Sequence, residues 1–293
     1  MSKSGVPDDA VFSVQRRELH AALISAKVLT RDSKGIVSIA DGSSALSRDL
    51  ADGVYTQITK EIAATARPVG QQAGAKLEEL IRVYLEQTFG RLDRLRPGKW
   101  QVLGGKAIAN FEQYQHLLHL QKAIEHDVDL AASLGNDYVV KPDVLVVRSP
   151  EEDDFINTPT ILVDHEVARN SAMRLLNNDK DILHASVSTK WTLRSDRAQN
   201  ARTEALNLLR NRKGRAPHVV VVTGEPMPSR IASLALGTGD IDCVYHLFLH
   251  ELEESVGLIA DAGRAEDAKE MLSIMIKGRR LKDISDLPLD LAV

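Results

Sequence analysis

Residues 186–223 read SVSTKWTLRSDRAQNARTEALNLLRNRKGRAPHVVVVT, and the texture of this run changes three times. His184 to Leu193 reads as a strand, in which side chains two apart share a face, so Ser188 and Lys190 point the same way. Ser195 then stands where a helix N-cap belongs, and the span from Arg197 to Arg212 carries helical spacing. Gly214 follows as a C-terminal stop. His218 to Thr223 is a continuous apolar, β-branched run, the pattern of a buried strand.

Outward from this unit the same texture continues. Tyr138 to Val147, Tyr-Val-Val-Lys-Pro-Asp-Val-Leu-Val-Val, reads as a strand in which Pro142 marks an edge, a bulge or a local kink. Thr160 to Val163 reads as another. The C-terminal half therefore runs strand, strand, strand, helix, strand, helix, helix, which predicts a mixed sheet covered by helices. The N-terminal part is helical in pattern: residues 12–27, residues 46–66 up to Pro68 and Gly70, Ala75 to Leu92, and Ile108 to Leu134. The third carries an apolar stripe of Leu77, Leu80, Ile81, Tyr84, Leu85 and Phe89. Gly135-Asn136-Asp137 breaks the fourth. The expectation is an α/β fold in one domain over residues 1–293, with a helical part over about 1–135 and a core over about 136–293.

With 293 residues, 43% apolar and 27% charged, the chain has material for a sizeable core. The lone cysteine, Cys243, excludes a disulfide framework and a CxxC zinc site, and fits a reducing cytoplasm. The opening MSKSGVPDDA is polar and acidic, unlike a signal peptide, and no apolar run approaches the roughly 20 residues of a membrane span. A cytoplasmic protein with no membrane contact is expected. The net charge of −4 speaks against nucleic acid, but a polyanion responds to the face it meets. Between Lys190 and Arg215 stand eight basic residues opposed only by Asp196 and Glu204. Such a run fits either a DNA-binding face or an ordinary solvated helix.

Three pieces carry chemistry: Pro142-Asp143, Ser188-Thr189-Lys190, and Glu204. Magnesium-dependent phosphodiester hydrolysis needs convergent carboxylates, because a hard cation takes oxygen ligands and keeps positions open for water and phosphate. A cation near the attacking water or the phosphorus helps as well, and Lys190 supplies one. Glu204, 14 residues after Lys190 on the following helix, can return to the same end of the sheet. Taken singly, Asp143 also fits a turn residue, Ser-x-Lys an ordinary strand, and Glu204 a solvated helix position. Gly237-Thr238-Gly239 lacks a following GK[ST] and reads as a tight turn. His246 and His250, four apart, could share a helix face but lack a third metal ligand.

These stretches resemble the CCGG family of type II restriction endonucleases. The resemblance is carried by residues 186–223, by EPMPSRIASLALGTGDIDCVYH (225–246) and by GRRLKDISDLPLDLAV (278–293). It extends more weakly through DYVVKPDVLVV (137–147) to GIVSIADGSS (35–44). It implies a PD-(D/E)xK nuclease core in a variant form, with Ser188 in place of the usual acid and Glu204 supplying the carboxylate from the next helix. Catalytic roles are implied for Asp143, Lys190, Glu204, Ser188 and, on an upstream helix, Glu78, with Glu79 its neighbour and rival. Asp143 and Glu204 would hold Mg²⁺. The Arg-Ser-Asp-Arg element places Arg194, Asp196 and Arg197 as readers of a CCGG core. Independently of the family, arginine suits guanine O6 and N7, and aspartate accepts from cytosine N4. Asp41 and Arg230 match readers of an outer G·C pair, completing GCCGGC. Gln71 matches a minor-groove contact, with Gln72 as its rival.

The implied activity is cleavage of both strands of double-stranded DNA, leaving 5′-phosphates. The implied assembly is a homotetramer built from dimers. The chain departs from the family pattern in extra residues before Val14, in the loop from Pro68 to Ala75, and at Thr189. Three rival functions are a repair or recombination nuclease of the same core, a sequence-specific DNA-binding protein that does not cut, and an interaction module without a DNA role.

Overall fold

The computed structural model describes residues 9–64, 77–124, 140–237 and 239–293. Helices α1 (Val11–Ser25), α2 (Ala45–Ala64) and α3 (Leu77–Phe89) precede strand β1 (Trp100–Gly104) and helix α4 (His116–Ile124). Then follow β2 (Val144–Arg148), the single turn α5 (Asp153–Ile156), β3 (Ile182–Lys190), α6 (Ser195–Asn211) and β4 (His218–Thr223). The chain closes with α7 (Pro228–Ala235), β5 (Cys243–His246), α8 (Leu249–Asp261), α9 (Glu266–Lys277), β6 (Leu281–Asp283) and the turn α10 (Leu287–Asp290).

The six strands lie in sequence order in one sheet. β1, β2 and β3 are antiparallel, whereas β3 through β6 run parallel. The expected α/β class, a mixed sheet flanked by helices, is what the chain forms. The strand residues Val144 to Val147 and Val219 to Val222 are buried throughout, each aliphatic side chain contributing about 1.5–3 kcal/mol. α6 lays Ala198, Ala201, Ala205 and Leu208 against this layer, and its small residues permit close approach. Leu19, Leu23, Leu50, Ile81, Tyr84 and Leu85 from α1, α2 and α3 join the strand residues in one apolar core.

A buried ionic network ties α1 to the C-terminal segments. Arg16 donates to both carboxylate oxygens of Glu251 on α8, at 2.8 and 2.7 Å. It donates likewise to both oxygens of Asp283 at the end of β6, each at 2.9 Å. Asp283 also accepts from the Ser285 amide and hydroxyl, so every charge in the network is met.

The structure corrects several expectations. Thr160 to Val163 is no strand: Asn157 Oδ1 accepts the amides of Leu162 and Val163, and Ile161 is 81% exposed. Apolar, β-branched residues form a strand only where a neighbouring strand pairs with them. The long helix from Ile108 becomes two 3-10 turns, Ile108–Asn110 and Glu112–Tyr114, before α4 begins at His116. The cause is tertiary, since the Gln113 side chain both donates to and accepts from the Leu183 backbone. The rest of that stretch, residues 125–134, lies outside the described residues. β2 starts at Val144, two residues after Pro142, and lies inside the sheet. β1 falls in the part expected to be helical, and the short strands β5 and β6 were not expected at all. Arg194, with extended backbone, occupies the N-cap of α6, so Ser195 is already helical. Gly214 does take positive φ, +79°, just past that helix. His246 lies on β5 and His250 on α8, so they share no helix face.

Candidate active site

Because β2 and β3 are antiparallel with Val144 opposite Val187, Asp143 arrives beside the C-terminal end of β3. There its Oδ2 accepts the Thr189 amide at 2.7 Å and the Thr189 hydroxyl at 3.1 Å. Lys190 Nζ stands 3.5 Å from that same oxygen and 3.9 Å from Glu204 Oε2. Ser188 donates to Glu204 Oε2 at 3.2 Å. Glu204 reaches this point because α6 turns back over the sheet, with its neighbour Ala205 buried beneath it.

Asp143, Ser188, Lys190 and Glu204 thus meet at one end of the sheet. The Lys190 side chain is 16% exposed, Asp143 24% and Glu204 43%, so the group lines an open rim. Among the described residues, Asp143 Oδ1 and Glu204 Oε1 take no hydrogen bond, which leaves each carboxylate one oxygen facing outward. Two hard oxygen donors beside an ammonium suit a divalent cation that must also take a phosphate oxygen and a water. Thr189, which carried no role from the sequence, is the residue that fixes Asp143.

Glu78 sits in the first turn of α3, is exposed, and makes no hydrogen bond or ion pair with a described residue. Its rival Glu79 is committed to Arg82, whose guanidinium holds that carboxyl below the usual range. Arg82 lies over Gly104, the partner of Val144, so α3 overhangs the Asp143 end of the sheet. No described contact joins Glu78 to Asp143, Lys190 or Glu204.

The Arg-Ser-Asp-Arg element follows β3 directly, and Arg194, Ser195, Asp196 and Arg197 are all exposed at the start of α6. Arg197 donates to Thr192 at 2.8 Å, and otherwise the element has its polar tips in solvent. Arg210, Arg212, Lys213 and Arg215 extend an exposed basic surface from the far end of the helix. Asp41 and Arg230, 189 positions apart, form an ion pair. The Ser43 hydroxyl and Arg230 together hold the Asp41 carboxyl far below the usual range. Gln71 and Gln72 lie outside the described residues.

Sequence reasoning also passed over Glu225, a fully buried carboxylate. Its Oε2 accepts the Leu193 amide at 2.7 Å and its Oε1 the Met227 amide at 3.1 Å. Arg230 stands 3.8 Å from Oε1. Burial pushes its pKa up, against the pull of those amides and of Arg230. The signal available in the sequence was an acid directly after a buried apolar strand, where charge is costly unless partnered.

One further group, His20, Glu61 and Glu251, brings three ligand atoms within 4.8 Å of one another. Both oxygens of Glu251 are engaged by Arg16, so the group shares that carboxylate with the buried network. Among the described residues no helix is long and apolar enough to cross a membrane.

A family described as "NgoMIV restriction enzyme" matches residues 19–293 of the chain. The chain is also 47% identical to the type II restriction enzyme NgoMIV of Neisseria gonorrhoeae, over 288 residues that cover 97% of this chain and 99% of that relative.

Proposed function

The chain belongs to the NgoMIV restriction enzyme family and is a type II site-specific deoxyribonuclease, and from that premise we propose that Asp143, Lys190 and Glu204 form its catalytic centre. The substrate is double-stranded DNA with a CCGG-core palindrome, GCCGGC, cut on both strands to leave 5′-phosphate and 3′-hydroxyl ends. The observation that carries this reading is the meeting of two carboxylates on one ammonium, beside an exposed Arg-Ser-Asp-Arg element.

Asp143 and Glu204 would hold Mg²⁺ through their outward oxygens, with Glu78 assigned to a second ion. Bound there, the ion supplies Lewis acidity towards a phosphate oxygen and lowers the pKa of a water. As an ammonium, Lys190 would orient the attacking water and stabilise charge as the phosphorus is attacked in line, the water's proton passing to solvent. Ser188 holds Glu204 in place and is no metal ligand. The formal charge of Lys190, Asp143 and Glu204 is −1; one divalent ion makes it +1, and the scissile phosphate returns it to zero.

Arg194, Asp196 and Arg197 read the inner pairs, Asp41 and Arg230 the outer pair, and Gln71 the minor groove. A palindrome implies a two-fold dimer at the least, and we read the assembly as a tetramer of two dimers. The enzyme is read as one domain over residues 1–293, working in the cytoplasm.

Digestion of a mapped plasmid in Mg²⁺, with sequencing of the fragment ends, tests the reading. Cuts confined to GCCGGC with ligatable 5′-phosphates are expected, and cutting elsewhere overturns the assigned site. A plasmid with two sites should be cut faster than one with a single site, and a short duplex bearing the site should rescue the slow plasmid. Equal rates together with a dimeric mass in light scattering reject the tetramer.

A further inference from the structure

We infer that Glu225 is a specificity-positioning residue that couples the two base-reading elements of the enzyme. This rests on the assignment of residues 194–197 and of Asp41 with Arg230 as readers.

The exits of β3 and β4 are stitched together at this point. The Gly224 amide donates to the Trp191 carbonyl at 3.2 Å, and the Leu193 amide crosses to Glu225 Oε2 at 2.7 Å. The approach is close at Gly224, where a Cβ would lie 3.3 Å from Ile39 and Phe248 and 3.4 Å from Trp191. Leu193 immediately precedes Arg194, so the carboxylate fixes the backbone from which the inner reader departs. The other oxygen holds the Met227 amide, and Met227 is the N-cap of α7, the helix that carries Arg230. Arg230 itself lies between Glu225 and Asp41.

Glu225 is anchored in turn. Its carbonyl accepts from His246 Nε2 at 2.9 Å, and its amide donates to the Thr223 hydroxyl at 3.1 Å. A group with no exposed surface cannot touch DNA. What it can do is hold two elements at one spacing. Bidentate recognition of adjacent base pairs depends on that spacing, since small misplacements of such donors cost much of their discrimination. Each carboxylate oxygen serves a different element, so one side chain carries the coupling.

The test compares kcat/KM on a GCCGGC duplex with duplexes altered at the outer pair or at an inner pair. Arg230→Ala should relax the outer pair and Arg194→Ala an inner pair. If both leave discrimination unchanged, the base-reading assignment has failed, independently of Glu225. Given those controls, Glu225→Gln should lower discrimination tenfold or more at both positions, because the amide nitrogen must face one of the two backbone donors and the element it repels shifts the spacing that both readers share. Glu225→Asp, which keeps both acceptors one methylene short, should restore part of it, and it carries the same comparison if the Gln variant does not fold. Discrimination is a ratio on a single preparation, so a reduced folded fraction cancels. Loss at the outer pair alone, or an unchanged ratio with a lower Tm, overturns the coupling role.

Discussion

Arg16 and Lys190 are both cations set between two carboxylates. Arg16 bonds all four oxygens of Glu251 and Asp283 at 2.7–2.9 Å, with side chains no more than 10% exposed. Lys190 stands off at 3.5 and 3.9 Å from Asp143 and Glu204, in a rim that is open on one side. Both groups carry a formal charge of −1. The first is saturated, and adding a ligand there would break bonds already made. The second keeps oxygens unspent, which is what a site must do if it is to accept a cation and a phosphate. Saturated charge holds the fold, and the unsaturated charge at the strand end is the group proposed for catalysis.

The sharpest way to break this contrast is to remove each cation in turn. Lys190→Ala and Asp143→Ala should each lower cleavage about a thousandfold or more, while specific binding in Ca²⁺ survives and Tm moves little. Glu204→Gln should follow them, since an amide is a poor Mg²⁺ ligand; more than a few per cent of activity in that variant would refute a swapped carboxylate. Arg16→Met should do the reverse. Stranding two buried carboxylates costs about 3–5 kcal/mol in chemical denaturation, with cleavage per folded molecule unchanged.

Acid should also find the closed regions first. Burial holds His20 and His246 at pKa values of about 4, and His184 at about 3, against 6.5 for free imidazole. A depressed histidine pKa means that the unfolded chain binds the proton first. Stability is therefore whole above pH 6.5 and falls as the pH drops towards 4, by about 1.4 kcal/mol per pH unit for each group. Urea midpoints between pH 7.5 and 5 measure it, and a flat profile would show that these rings are reached by solvent. Further acid then protonates Glu251 and Asp283. Both are raised by burial, but Arg16 holds them below the usual range, so their share of stability goes last.

Two smaller effects sharpen the open site. Thr189→Val removes one hydrogen bond to a charged carboxylate, worth about 1.5–3 kcal/mol, and leaves the amide bond in place. The Mg²⁺ needed for half-maximal cleavage should rise about tenfold, Ca²⁺ affinity in calorimetry should fall with it, and Thr189→Ser should recover both. Arg210→Ala, at the exposed far end of α6, should weaken binding to specific and scrambled duplexes alike. It should also reduce the slope of log K against log salt by about 1; an effect on the specific duplex alone would make Arg210 a base reader.

Read alone, the sequence settled the elements whose pattern is strong and local. Residues 186–223 declared strand, helix and strand. The apolar stripe of α3 was legible, and Asp143, Ser188, Lys190 and Glu204 could be named before any geometry existed. Strand alternation and the return of the following helix were enough to place the last three on one side. What the sequence could not state was anything that depends on a distant partner. β5 and β6 are four and three residues long, and they are strands because β4 and then β5 offer parallel neighbours. Thr160 to Val163 has a strand's composition and no neighbour. The pairing of Arg16 with Glu251 and Asp283 spans more than 230 positions, and that of Asp41 with Arg230 spans 189. Thr189 and Glu225 gained their roles the same way, by which carboxylate or amide the sheet brought opposite them. Local pattern reports what a segment prefers, whereas hydrogen bonds and buried charges are satisfied only by partners, and the tertiary fold alone decides who those are.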